Sequence, residues 1–105
     1  MTLFRLCNLE NIPPGTIKQF TANEQEIIII NSNNQIYLLE ARCTHAGAPL
    51  AEGTLDNNVL TCPWHGSQFD ITNGQVVKGP AEENLKTHPH TIKDKTVFVD
   101  LTTQS

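Results

Sequence analysis

The sequence predicts an all-β domain. Short segments rich in β-branched and aromatic residues alternate with clusters of Asn, Asp, Gly and Pro, which is the pattern of strands joined by turns. Apolar residues do not recur with the spacing of an amphipathic helix. At 105 residues the chain fits one domain, spanning 1–105, that is large enough to bury its own core.

The N-terminal part of the chain predicts four strands. The run Ile27–Ile30 is β-branched throughout, which favours a strand buried on both faces. Asn31–Asn34 predicts a hairpin turn, because Asn tolerates positive φ and forms local hydrogen bonds. Cys7 is expected to be a small buried apolar side chain. The predicted strands are Leu3–Cys7, Thr16–Thr21, Glu26–Asn31 and Gln35–Glu40.

The middle of the chain is rich in turns, and strands resume towards the C-terminus. Tight turns are predicted at 56–58, 72–74 and 93–95. We therefore expect a base formed by residues 1–41 and 81–105, with a loop-rich subdomain at about 42–80. The predicted strands are Val59–Thr61, Gln68–Ile71, Leu85–His90 and Thr96–Leu101.

Composition and charge exclude several classes of function. The net charge is −4, whereas a nucleic-acid-binding protein needs a basic face. No segment approaches the ~20 apolar residues of a membrane span. The N-terminus lacks the basic and apolar regions of a signal peptide. We expect a cytoplasmic protein that binds neither nucleic acid nor membranes.

Two short motifs carry candidate metal ligands. Cys43-Thr44-His45 and Cys62-Pro63-Trp64-His65 each offer one thiolate and one imidazole. Two cysteines and two histidines can hold a [2Fe–2S] cluster in which imidazoles replace two thiolates on one iron. They can also hold a structural zinc ion in a domain for protein recognition, although zinc sites usually pair like ligands on one turn. The spacing alone leaves both interpretations open.

The residues around these ligands resemble the Rieske iron–sulfur family. The resemblance rests on Cys43–Gly47 and Cys62–Ser67 and covers essentially the whole chain. It implies stacked antiparallel β-sheets, a β-sandwich, with a small cluster-binding subdomain at one end. It also implies one [2Fe–2S] cluster, in which Cys43 and Cys62 bind one iron and His45 and His65 bind the other.

The chain departs from the respiratory and photosynthetic members of that family. Those proteins carry two further cysteines, joined in a disulfide, where this chain has Ala48 and Trp64. They also carry a tyrosine where this chain has Phe69, whereas Ser67 is retained. Fewer hydrogen-bond donors to sulfur lower the reduction potential, so we expect a value towards the low end of roughly −150 to +300 mV. The departures favour the ferredoxins of ring-hydroxylating oxygenase systems.

Other residues near the ligands have candidate supporting roles. Gly47 and Gly66 are expected to give the loops backbone freedom. Trp64 is expected to cover the cluster or to contact a partner. Ser67 could donate a hydrogen bond to a sulfide, and Pro80 lies in a segment that resembles the family's shielding loop.

The resemblance implies an electron-transfer protein rather than an enzyme. A flavin-containing or iron–sulfur reductase would donate one electron, and a terminal oxygenase would accept it. The carrier is expected to be a monomer. The alternative is the small Rieske-type subunit of a nitrite reductase complex.

Overall fold

The computed structural model describes residues 3–44, 47–64 and 66–101. These residues form eleven strands and two single-turn 3₁₀ helices, and all the strand pairs are antiparallel. The predicted all-β fold is confirmed. The strands are β1 Leu3–Asn8, β2 Thr16–Ala22, β3 Gln25–Ser32, β4 Gln35–Glu40, β5 Thr54–Asp56, β6 Val59–Thr61, β7 Gln68–Asp70, β8 Val76–Lys78, β9 Thr87–His88, β10 His90–Lys93 and β11 Thr96–Asp100, and the 3₁₀ helices are Leu9–Asn11 and Leu50–Glu52.

The strands form three sheets. The first sheet has the order β1-β11-β10, the second β2-β3-β4-β9 and the third β5-β6-β7-β8. Both ends of the described chain meet in the first sheet, where Leu3 pairs with Asp100. The third sheet comes entirely from residues 54–78. No helix in the described ranges is long and apolar enough to cross a membrane.

Four hairpins share one type of turn. Both central residues of each two-residue turn have positive φ, which is the backbone of a type I′ turn and matches the twist of the flanking strands. Three of these turns were predicted from their sequence. The turn before β3 was not, because Glu is uncommon in the left-handed region. The four turns are Asn23–Glu24, Asn33–Asn34, Asn57–Asn58 and Asp94–Lys95.

The strand β3 lies between two hydrophobic cores. Its residues Ile27–Ile30 are all 0% exposed, so burial on both faces is confirmed. Full burial of one such side chain contributes about 1.5–3 kcal/mol. The upper core comprises Ile28, Ile30, Leu39, Ala41, Cys43, Ala48, Leu50, Leu60, Cys62, Phe69, Ile71, Ala81 and Leu85. The lower core comprises Cys7, Ile12, Ala22, Ile27, Ile29, Ile36, Leu38, Val97, Val99 and Leu101.

The predicted strand Leu85–His90 is wrong in one respect, because it is divided between two sheets. β9 pairs with β4 in the second sheet, and β10 pairs with β11 in the first. Pro89 separates them, and a proline has no N–H with which to continue a ladder. The strands β5 and β8, of three residues each, were not predicted.

The division at Pro89 leaves His88 and His90 half-buried in different sheets. The pKa values of both imidazoles are lowered chiefly because burial disfavours the charged form, and Lys86 lowers that of His88 further. The unfolded chain binds protons near pH 6.5, where these folded imidazoles remain neutral. Stability therefore falls as the pH falls through the window below about 6.5.

We expect a His88→Gln/His90→Gln variant to lose less unfolding free energy than the wild type between about pH 7.5 and about pH 5.5. Urea unfolding at both pH values measures the loss. Groups elsewhere titrate alike in the two proteins, so their difference isolates the two imidazoles. Equal losses in variant and wild type would contradict this account.

Candidate metal centre

Two loops that begin with a cysteine are closed by the same type of backbone hydrogen bond. The first ligand loop is residues 43–48, and the second is residues 62–67. The Cys43 N–H donates to the Ala48 carbonyl at 3.0 Å, and the Cys62 N–H donates to the Ser67 carbonyl at 2.7 Å. Each loop is thus closed by a hydrogen bond from its cysteine to the residue five positions later.

The glycine four positions after each cysteine has a left-handed backbone. The φ angle is 74° at Gly47 and 75° at Gly66. A Cβ at either position would meet no atom within 4 Å. The loops therefore need glycine for its conformation and not for lack of space.

The cysteines of the two loops lie together in the upper core. Cys43 is 3% exposed and Cys62 is 2% exposed, and both are free thiols. Burial raises the pKa of the Cys62 thiol, a backbone N–H of Trp64 that donates to its sulfur lowers it, and the neighbouring Cys43 raises it. Two adjacent buried thiols, one already receiving an N–H, fit a soft metal that binds both as thiolates.

His45 and His65 lie outside the described residues. The residues beside them in the described chain belong to the two ligand loops: Thr44 and Gly47 in the first, Trp64 and Gly66 in the second. Their role as ligands stays a prediction.

A third loop, residues 79–86, is hydrogen-bonded to both ligand loops. The Ala81 N–H donates to the Ser67 hydroxyl at 2.9 Å, and the Thr44 hydroxyl donates to the Glu83 carbonyl at 2.6 Å. Ser67 is completely buried, and because its oxygen accepts from Ala81, its proton can be donated elsewhere. Pro80 is exposed at the start of this loop.

Trp64 projects from the second ligand loop. Its side chain is 49% exposed, and Pro63 beside it is also exposed. Aromatic residues are enriched in protein interfaces, and the role of Trp64 in covering the cluster or contacting a partner stays a prediction.

The sequence did not indicate every residue that holds these loops. Thr44 and Glu83 are 39 residues apart, and no local pattern connects them. Arg42 precedes the first ligand loop and contacts both Glu26 and Gly47, which was also not predicted. The sequence does show that Arg42 and Thr44, two hydrogen-bond donors, flank Cys43. It does not show which groups accept from them, because that depends on the tertiary structure.

A model of the Rieske [2Fe-2S] domain matches residues 2–89. The chain belongs to the Rieske [2Fe-2S] domain family. As a Rieske domain it carries one [2Fe–2S] cluster, which decides between the two metals that the motif spacing left open. The paired thiols of Cys43 and Cys62 fit that cluster.

Ferredoxin components of dioxygenase systems are similar to this Rieske domain over most of its length. The ferredoxin component of the naphthalene 1,2-dioxygenase system of Pseudomonas aeruginosa is 31% identical over 89% of each chain. The biphenyl dioxygenase ferredoxin subunit of Pseudomonas sp. (strain KKS102) is 33% identical, over 95% of this chain and 93% of that one.

Solved structures show the same fold. A chain from the complex of reduced oxygenase and oxidized ferredoxin in carbazole 1,9a-dioxygenase has a TM-score of 0.87 and 31% identity, over 92% of this chain and 91% of that one. A protein assigned as the small subunit of an NADPH nitrite reductase has a TM-score of 0.80 at 19% identity, over 94% of this chain and 98% of that one. The latter likeness concerns the fold alone.

We expect Gly66→Ala to lower the unfolding free energy by about 1–2 kcal/mol, because a Cβ is disfavoured in the left-handed region. Gly66→Asn should cost less, since Asn tolerates that region. Urea unfolding measures both. Gly79→Ala is the control, because its Cβ would have no neighbour closer than 3.7 Å and its φ is not left-handed. Equal costs for Ala and Asn at position 66 would contradict the conformational explanation.

Proposed function

We propose that this protein is a one-electron carrier that accepts an electron from a flavin-containing or iron–sulfur reductase and passes it to a terminal oxygenase. The observation that carries the proposal is the similarity to ferredoxin components of dioxygenase systems along 89% or more of both chains. Such ferredoxins are carriers rather than catalysts. We further propose that it acts in the cytoplasm as a monomer.

The proposed ligand set follows the two loops. Cys43 and Cys62 bind one iron, and His45 and His65 bind the other. The bound cluster supplies reversible one-electron transfer, at a potential that neutral imidazole ligands raise relative to thiolates. The adjacent burial of both cysteines supports the thiolate half of this assignment.

The surrounding residues set the environment of the sulfur atoms. The Trp64 N–H donates to the Cys62 sulfur, and the buried Ser67 hydroxyl retains a proton to donate. Phe69 is also fully buried in the upper core and has no hydroxyl. Hydrogen bonds to sulfur stabilise the reduced, more negative cluster and so raise the potential. The hydroxyl that Phe69 lacks is one donor fewer, and its absence supports a potential low in the Rieske range.

The proposed division into a base, residues 1–41 and 81–105, and a cluster-binding subdomain, about 42–80, is consistent with the sheets. The third sheet and both ligand loops fall within the subdomain range. The first and second sheets come from residues on either side.

The proposed docking surface includes the second ligand loop and the start of the loop of residues 79–86. Pro63, Trp64 and Pro80 are exposed in these segments, and aromatic residues are enriched in protein interfaces. The similar carbazole dioxygenase ferredoxin has been solved in complex with its oxygenase. The nitrite reductase alternative is less well supported, because that neighbour shares the fold alone.

The first test is the absorption and EPR spectrum of anaerobically purified protein before and after dithionite. A reddish-brown protein with a rhombic Rieske-type signal on reduction is expected. A colourless protein containing zinc would overturn the function.

In the loaded protein, His65→Cys should lower the reduction potential, because a thiolate adds negative charge to the site. An unchanged potential would overturn the ligand assignment.

We expect Phe69→Tyr to raise the reduction potential, because the new hydroxyl adds a hydrogen-bond donor within the upper core that holds both cysteines. Voltammetry of the loaded protein measures the change. Phe4→Tyr is the control, since Phe4 packs against the lower core on the other face of β3. A lowered potential in Phe69→Tyr, or the same rise in both variants, would contradict the role given to this position.

A further inference from the structure

Arg42 connects the first ligand loop to β3. Its Nε donates to Glu26 Oε1 at 2.8 Å and its Nη2 donates to Glu26 Oε2 at 3.2 Å, a bidentate arrangement. Its remaining nitrogen, Nη1, donates to the Gly47 carbonyl at 3.2 Å. One guanidinium therefore spans from a central strand to the loop that begins with Cys43.

Glu26 is well placed to hold that guanidinium. It immediately precedes the fully buried run Ile27–Ile30, so its backbone is fixed by the best-packed strand of the molecule. A hydrogen bond from Arg42 is the main cause that lowers the pKa of the Glu26 carboxyl, and one from Gln19 contributes. Both causes favour the charged carboxylate that the guanidinium binds.

The contact with Gly47 fixes the direction of a peptide group. The peptide bond between Gly47 and Ala48 is trans, so its carbonyl and its N–H point in opposite directions. Since the carbonyl points to the exposed guanidinium, the Ala48 N–H points away from it. Ala48 is 0% exposed and belongs to the upper core with Cys43 and Cys62. Among the described residues this N–H has no backbone acceptor.

We propose that Arg42, held by Glu26, is a positioning residue that orients the Gly47–Ala48 peptide so that the Ala48 N–H donates to sulfur in the metal centre. The inference rests on the proposed ligand set. An N–H donor to sulfur stabilises the reduced state, so the hydrogen bond from Arg42 to the Gly47 carbonyl raises the reduction potential. The hydrogen bond from the guanidinium to the carbonyl also polarises the peptide and strengthens its N–H as a donor.

Simple charge effects predict different results from positioning. Through charge alone, removal of the Glu26 anion raises the potential, and Arg42→Lys leaves it unchanged. Positioning predicts that Glu26→Ala lowers the potential because Arg42 loses its anchor. It also predicts that Arg42→Lys lowers it, because an ammonium group lacks the planar fork that bridges two acceptors.

The experiment measures the reduction potential of loaded wild type, Arg42→Lys, Glu26→Ala and the double variant by voltammetry. We expect a lower potential in both single variants and no further drop in the double variant, because the two residues act as one unit. Glu24→Gln and Arg5→Gln are matched controls that remove a charge from exposed residues with no ion pair among the described residues, and they should leave the potential unchanged.

A raised potential in Glu26→Ala, an unchanged potential in Arg42→Lys, or additive shifts would overturn the positioning role. Thermal unfolding of each variant checks that the fold is intact, which is expected because both side chains lie at the surface. If Arg42→Lys does not retain the cluster, Glu26→Ala alone decides, since it alters no residue beside the ligands. Failure of the proposed ligand set would appear separately, as a wild type without a Rieske-type spectrum.

Discussion

The burial of β3 on both faces is the constraint on which the rest of the structure depends. Four consecutive isoleucines are withdrawn completely from solvent, two into the upper core and two into the lower. This is possible only if sheets pack against both sides of the second sheet. The first sheet covers the lower core, and the third sheet with the ligand loops covers the upper core. The cysteines of the metal centre therefore pack against one face of a sheet whose other face is covered by the lower core.

The ligand loops are held by hydrogen bonds rather than by sheet pairing. Each closes on its own cysteine, and the loop of residues 79–86 links them through Thr44 and Ser67. Several independent hydrogen bonds thus fix the same short segments and, with them, the positions of Cys43 and Cys62. A rigid site suits electron transfer, in which little atomic movement should accompany a change of charge.

Residue patterns predicted the parts of the molecule that depend on local chemistry. The run Ile27–Ile30, the Asn-rich turns and each of the two ligand motifs can be recognised within a few residues. The change from one sheet to another at Pro89 was not predicted. Both flanking segments have ordinary strand composition, and only their pairing partners, which are distant in sequence, distinguish them. The contacts of Arg42 and Thr44 could not be predicted for the same reason, since Glu26 and Glu83 reach them only through the fold. The imidazoles of His45 and His65 lie outside the described residues, so the ligand set rests on the motif and the family.

The pairing of Leu3 with Asp100 places the two ends of the described chain side by side, in the sheet that covers the lower core. The cysteines lie on the opposite side of β3. An attachment at either end therefore leaves the redox-active end of the molecule uncovered. The same domain can be tethered to an electrode, or fused within a longer polypeptide, with Trp64 and Pro80 still exposed to a partner.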